Sequence, residues 1–317
     1  MKRTARLVVS VAALLLAVMV GVVEAADWPC WHGPDRNNIS PETGINKDWN
    51  TRPPQKLWQT AMHDNGHTGP AVAEGKVFII DHVGTQDVVR AISLTDGSDV
   101  WEFRYEDPSK YFQGHSRATP AYANGKLYTL SHLGKVHCLD ANTGQMIWRR
   151  DLPSELGGKR VTYGWAPSPL VDGDKVIVCP GGVNSAVAAL DANTGQTIWQ
   201  GGGSDPAGYA TPVKATILGT EQYVVFTGKS LIGVDAATGQ LLWRHPWETP
   251  YDVNAATPVV AGNEIFISTG YNTGCAVVRV QPNGPVELWR NKEVMAHFSS
   301  PVYYQGFIFA NSDPGLL

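Results

Sequence analysis

The sequence predicts an all-β protein, a β-propeller of four-stranded blades, and two repeating features carry that prediction. The first is a unit read most clearly in Leu190-Asp191-Ala192-Asn193-Thr194-Gly195-Gln196-Thr197-Ile198-Trp199. A close copy runs from Leu139 to Trp148 and another from Val234 to Trp243, with weaker ones from Leu94 to Trp101 and from Val280 to Trp289. The tryptophans closing these units, with Trp58 ahead of them, follow one another at intervals of 43 to 51 residues. That is the period of a propeller blade. The second feature is a small residue and a proline before each expected first strand: Gly69-Pro70, Thr119-Pro120, Ser168-Pro169, Thr211-Pro212, Thr257-Pro258 and Ser300-Pro301. Proline is tolerated at the first residue of a strand, where no ladder donor is required. Six openings and five closed units give five complete blades and the start of a sixth.

Each unit reads as a hairpin. Ala-Leu-Asp ends one strand, and the Asp carboxylate is placed to accept backbone N–H groups from the next two residues. Gly195 supplies the positive φ that a tight turn demands. The chain returns as Gln-Thr-Ile-Trp, and the indole leaves the sheet to wedge against the neighbouring blade, since a lone four-stranded sheet cannot bury its own faces. Trp58, Trp101, Trp148, Trp199, Trp243 and Trp289 are therefore expected to be structural, blade-docking residues.

Residues 1–25 read as a secretory signal: Lys2, Arg3 and Arg6 precede an apolar run from Leu7 to Val23, and Val23-Glu24-Ala25 puts small residues at the cleavage positions. A retained membrane anchor is the alternative. Residues 26–54 are turn-rich and lack strand alternation, so the segment is expected to lie across the propeller edge with Trp28 and Trp31 as anchors. Gln55 to Thr60 is expected to form a strand that completes the last blade. Residues 55–317 are then the propeller, with an incomplete last blade, and the sequence stops where the third strand of blade six should begin. The expectation is a C-terminally truncated chain, a closed six-blade ring being the alternative.

A formal net charge of −4 and the lack of a basic stripe with interleaved aromatics argue against a nucleic-acid partner. No transmembrane segment is expected in the mature chain. The four cysteines, Cys30, Cys138, Cys179 and Cys275, lie on separate units with no zinc-type spacing. Buried single thiols are the default reading, although export to an oxidising compartment leaves a disulfide open.

The Ala-x-Asp-x-x-Thr-Gly-x-x-x-Trp units resemble the tryptophan-docking repeats of the pyrroloquinoline quinone (PQQ)-like β-propellers. The opening Asp27-Trp28-Pro29, Trp31, Gly33-Pro34 and Ser40-Pro41-Glu42-Thr43-Gly44 is similar to the start of exported planctomycete-type members, which are likened to the propeller lipoprotein of outer-membrane β-barrel assembly. Cys30 and His32 stand where those relatives usually carry Gln and Arg. The resemblance covers nearly everything after residue 26 and implies seven or eight blades in full-length relatives. It is specific for fold and weak for function. Quinoprotein dehydrogenases of this kind hold PQQ between a Trp and a disulfide of adjacent cysteines, beside a calcium bound by Glu and Asn. No adjacent cysteine pair exists here, so PQQ is a weakly supported cofactor.

No phosphate-cradling loop, nucleophile elbow or HExxH motif is present. Asp96, Asp140, Asp191 and Asp235 have turn roles. The remaining candidates precede the strand-opening prolines and are expected at the mouth of the central channel: His67, His115, Arg117, Tyr163, Trp165, Tyr209, Asp252, Asn254 and His297. Radial symmetry would bring them around one concavity, as a small-ligand, sugar or metal site, or simply as loop-capping residues. No catalytic residue is assigned. The leading expectation is an exported, non-catalytic scaffold in the periplasm or outside the cell, binding an envelope or secreted protein or a ligand. A PQQ- or metal-dependent oxidoreductase and an envelope assembly factor are the rivals, and the sequence leaves the oligomeric state open.

Overall fold

The computed structural model describes residues 26–64, 66–108 and 114–313; the proposed signal segment lies outside them. Five antiparallel four-stranded sheets follow one another along the chain, each with its strands in sequence order, and a two-stranded sheet follows them. Blade one holds β1 (Ala71–Ala73), β2 (Lys76–Val83), β3 (Gln86–Ser93) and β4 (Asp99–Glu106). Blade two holds β5 (Ala121–Ala123), β6 (Lys126–Leu130), β7 (Lys135–Asp140) and β8 (Met146–Asp151), followed by the single-turn helix α1 (Leu152–Leu156). Blade three holds β9 (Leu170–Asp172), β10 (Lys175–Val178), β11 (Val187–Asp191) and β12 (Thr197–Gly201). Blade four holds β13 (Val213–Ile217), β14 (Thr220–Phe226), β15 (Ser230–Asp235) and β16 (Leu241–Pro246). Blade five holds β17 (Val259–Ala261), β18 (Glu264–Thr269), β19 (Gly274–Gln281) and β20 (Gly284–Asn291), and β21 (Val302–Tyr304) with β22 (Phe307–Phe309) begins a sixth.

The core lies between blades. Phe78 and Ile80 of blade one pack with Leu127 and Leu139 of blade two, and Tyr128 and Leu130 of blade two pack with Val176 and Leu190 of blade three. The same sharing continues from blade three to four and from four to five. The outer strands carry at most one buried residue each. In β8, β12 and β16 only Trp148, Trp199 and Trp243 are buried, at 7, 8 and 7% exposure.

A β-bulge aims each of these indoles. In all five blades the register slips by one residue beside the tryptophan, leaving Val100, Ile147, Ile198, Leu242 or Leu288 unpaired. Such an extra residue bends the strand and redirects the next side chain. Trp58, Trp101, Trp148 and Trp199 then lie over the turn glycine of the following blade. A β-carbon on Gly97, Gly144, Gly195 or Gly239 would stand 2.6, 2.6, 2.7 or 2.5 Å from ring atoms. The indole N–H groups of Trp58, Trp101 and Trp148 donate to Leu94 O, Ala141 O and Ala192 O at 2.8, 3.1 and 3.0 Å. The turn glycine is thus needed twice, for its positive φ (+71° at Gly195) and for the space its missing side chain leaves.

Two tryptophans depart from this arrangement. Trp243 fills the cluster between blades four and five but donates to Gln222 Oε1 of its own blade at 2.6 Å. Blade five closes its hairpin with a two-residue turn, Gln281 pairing with Gly284, so no glycine shelf reaches the ring. Trp289 is 43% exposed, because β21 and β22 offer it no closing turn. The strand expected over Gln55–Thr60 is not formed. An outer strand needs an inner neighbour to pair with, and here the segment is held through Trp58 instead.

The Asp turns bond one residue further along the chain than the sequence reading proposed. Asp191 Oδ1 accepts N–H groups from Asn193 and Thr194, two and three residues on, at 2.9 and 2.8 Å, and the Thr194 hydroxyl at 2.9 Å. Asp140 and Asp235 repeat the pattern. These hydrogen bonds, led by the Thr hydroxyl at Asp191 and Asp235, hold the carboxyls below the usual carboxylate range.

The amino-terminal segment does not lie across the edge. Trp28 exchanges both backbone hydrogen bonds with Val72 of β1 at 2.9 Å, and Pro29 O accepts from Tyr122 N of β5 at 2.7 Å. The Trp31 indole donates to Thr257 Oγ1, beside β17, at 3.1 Å, and Arg36 Nη2 donates to Val171 O of β9 at 2.5 Å. Nine residues therefore touch blades one, two, three and five, which is possible only where inner strands converge on the axis. The segment crosses the central channel because its half-buried indoles and main-chain groups find partners on several inner strands at once.

Candidate functional site: a pocket at the channel mouth

The residues before the strand-opening prolines form a blade-to-blade chain of hydrogen bonds around the axis. Thr119 N donates to Ser168 Oγ at 2.9 Å, Ser168 N to Thr211 Oγ1 at 2.9 Å, and Thr257 N to Ser300 Oγ at 3.0 Å. Ser168, Thr211 and Ser300, each ahead of its blade's proline, thus accept an amide from the small residue before another blade's proline.

Above this ring sits a cavity of about 570 Å³. Trp31, Ser168 and Thr211 line it from the axis, His67 and Arg117 from blades one and two, and Tyr163, Tyr209, Tyr271 and Phe298 from the later blades. Tyr163 N donates to the Tyr209 hydroxyl at 3.1 Å, with the two ring centroids 6.0 Å apart. Tyr251 joins the rim at 6.5 Å from Tyr163 and 5.7 Å from Tyr271. Both Tyr251 and Tyr271 have left-handed backbone, with φ of 61° and 53°, a conformation costing a side-chain-bearing residue on the order of 1 kcal/mol or more. Burial, then the hydrogen bond with Tyr163, raises the Tyr271 phenol above its ordinary range.

Four of the candidates read from the sequence, His67, Arg117, Tyr163 and Tyr209, line this pocket together. The others do not. The His115 ring stacks on His82 with centroids 3.5 Å apart, and its Nδ1 lies 3.3 Å from Asp64 Oδ1. Beside it, His82 Nδ1 lies 2.8 Å from Asp87, whose carboxyl is pushed up to about 6 by burial and then by the charge of Asp107. Trp165 is fully buried and donates to Pro180 O at 3.3 Å. Asn254 is also fully buried, donating to Thr227 O at 2.7 Å and accepting the Thr249 hydroxyl at 2.8 Å. Asp252 pairs with Lys229 at 3.0 Å. His297 stacks on Phe298 at 3.8 Å and lies 3.0 Å from Asp313. His115 and His297 are therefore engaged with different partners, and no group of three His, Cys, Asp or Glu among the described residues could hold a metal ion.

Sequence reasoning missed Trp31 as part of the pocket and overlooked Tyr251, Tyr271 and Phe298. Tyr271 sits in the β18–β19 hairpin rather than ahead of a proline, so the positional rule used for the others could not find it.

The fold and this pocket define a class: a PQQ-type β-propeller with an aromatic channel mouth. The family model described as outer membrane protein assembly factor BamB matches residues 85–317, and the chain belongs to that family. BamB of Escherichia coli K12 is 22% identical, the match covering 83% of this chain and 77% of that protein. The lanthanide-dependent methanol dehydrogenase of Methylacidiphilum fumariolicum is 37% identical over 145 residues, which is 42% of this chain and 23% of that one. Among solved structures, BamB of Moraxella catarrhalis superposes with a TM-score of 0.59 at 17% identity, over 82% of this chain and 73% of that one. Quinohemoprotein alcohol dehydrogenase of Comamonas testosteroni gives 0.56 at 17% identity, over 90% of this chain but only 52% of its own. These superpositions speak for the fold.

The quinone cofactor implied by the resemblance does not fit the residues present. All four cysteines are free, buried and far apart in the sequence, so no disulfide of neighbouring cysteines can floor a sandwich. No carboxylate lines the pocket among the described residues, and Arg117 is its single fixed cation, against a ligand bearing several carboxylates.

Proposed function

We propose that this protein is an exported, non-catalytic β-propeller scaffold that works in the periplasm or at the cell surface and binds an envelope or secreted protein at its channel mouth. The observation that carries this reading is the aromatic rim. Tyr251 and Phe298 are 60 and 66% exposed, held by a ring of blades whose own packing leaves them facing solvent. Aromatic residues on a rigid concave face are what protein interfaces use as anchors. The names of the BamB relatives support outer-membrane protein assembly as the process served. No helix among the described residues is long and apolar enough to cross a membrane.

The test is affinity capture from an envelope fraction by the native exported protein, with identification of a β-barrel insertase. The double variant Tyr251→Ser with Phe298→Ser should lose that partner while keeping the circular dichroism of the fold. Retention of the partner by the variant moves the interface elsewhere.

The 37% identity to a methanol dehydrogenase over 145 residues favours a second reading, a quinoprotein-type oxidoreductase. Titration of the purified protein with PQQ plus calcium or a lanthanide decides it. A flat absorbance trace and no alcohol-dependent dye reduction eliminate that reading.

A further inference from the structure

The walls of the channel mouth select for a particular peptide chemistry. Ser168 and Thr211 are at least nine-tenths buried, and each hydroxyl oxygen accepts a backbone N–H from another blade. No acceptor among the described residues takes either hydroxyl proton, so at the cavity that both line each still calls for an acceptor. The other walls are aromatic, with Trp31, Tyr163, Tyr209, Tyr271 and Phe298 foremost. Neighbouring tyrosine rings, Tyr251 included, are turned 53 to 67° from one another with centroids 5.7 to 6.5 Å apart. The wall is therefore a row of facets with clefts between them. No Asp or Glu lines the cavity among the described residues, and Arg117 reaches it with Nε and Nη2 buried. The site thus offers neither a carboxylate to a basic segment nor an open guanidinium fork to an acidic one.

We propose that the channel mouth binds a proline-rich segment of an envelope or secreted protein in polyproline II conformation. Its carbonyls face Ser168 and Thr211, and its pyrrolidine rings enter the clefts between the tyrosines. Proline carries a carbonyl and no N–H, so such a segment brings acceptors to waiting donors and no donor that burial would leave unmatched. The polyproline II helix has no internal hydrogen bonds, which leaves its carbonyls available, and it is extended before it binds. Aromatic-lined grooves exploit that low ordering cost as a general mode of peptide recognition. A sugar, by contrast, brings a donor with every hydroxyl and would turn some of them toward aromatic carbon. The inference rests on reading the channel mouth as a protein-binding face and adds the chemistry that this face selects.

The experiment is fluorescence anisotropy of fluorescein-labelled decaproline with the purified full chain, against an equally labelled Gly-Ser decapeptide and with unlabelled cellobiose as competitor. Decaproline should bind at least tenfold more tightly than the Gly-Ser peptide, and cellobiose should not displace it. Tyr271→Ala, at a rim residue that is 39% exposed and outside the core, should weaken decaproline at least fivefold. Thr211→Val should weaken it by a similar factor while Thr211→Ser, which keeps the donor, should not; if the valine variant loses its native circular dichroism, the Tyr271 variant decides. Equal affinity for the two peptides, displacement by cellobiose, or undiminished binding by Tyr271→Ala each overturns the proposal. The outcomes separate from those of the scaffold reading. An insertase captured through Tyr251 and Phe298 without decaproline binding sinks this inference alone, and decaproline binding without a captured insertase sinks that assignment alone.

Discussion

At the scale of single residues, the turn glycines and the tryptophans of preceding blades are one device. Gly195 has a φ of +71° and sits under Trp148, leaving no room for a methyl group. Gly195→Ala should destabilise the fold by about 2–3 kcal/mol, from left-handed backbone strain plus a displaced indole. A urea midpoint equal to that of the parent would show that the ring can slide aside at no cost. His32 offers a second test. It is 8% exposed, stacks on Trp31 at 4.9 Å, and its Nε2 has no partner among the described residues. Burial lowers its pKa from 6.5 to about 4. With the folded value below the unfolded one, its contribution is complete above pH 6.5 and is lost as pH falls toward 4. The depression corresponds to about 3 kcal/mol. His32→Phe should therefore show a shallower fall in unfolding free energy between pH 6.5 and 4 than the parent, measured by denaturant titration at several pH values. Parallel curves would mean that water reaches the ring.

At the scale of the element, the blade unit and the amino-terminal segment behave differently. Each unit was legible as a hairpin with an outward Trp because the period, the Asp and the Gly are local and repeat. Whether a given Trp docks depends on its neighbour. Trp101→Ala, which removes a ring from the glycine shelf of blade two, should cost about 3–5 kcal/mol. Trp289→Ala should cost less than about 1 kcal/mol, since 43% of the residue is exposed. Similar values for both would deny the shelf its role. The segment 28–38 defeated sequence reading because it has no period of its own. Its partners, Val72, Tyr122, Val171 and Thr257, are spread over almost 190 residues and meet only at the axis.

At the scale of the whole molecule, the radial order turns short polar side chains into a structural ring and widely separated aromatics into one rim. Half of the mouth was legible: His67, Arg117, Tyr163 and Tyr209 precede prolines at blade intervals, and symmetry gathers them. Trp165 and Asn254 occupy similar sequence positions yet are buried, the indole donating to Pro180 O and the amide to Thr227 O. The cysteines give a test at this scale. All four are buried and free, and burial pushes the thiols of Cys138 and Cys179 up to about 12. Thiol titration with Ellman's reagent should find none reactive in the native protein and four after denaturation without reductant. Two missing thiols would reveal a disulfide.

The sequence by itself determined the architecture of this protein, since turn chemistry and the closing indole are set by residues within ten positions of each other and the unit they form recurs at the blade period. Only the tertiary structure decided what crosses the channel, which tryptophans find a glycine shelf, and which side chains share the pocket. Those outcomes rest on contacts between residues tens to hundreds of positions apart, and no local propensity encodes which of them meet around an axis.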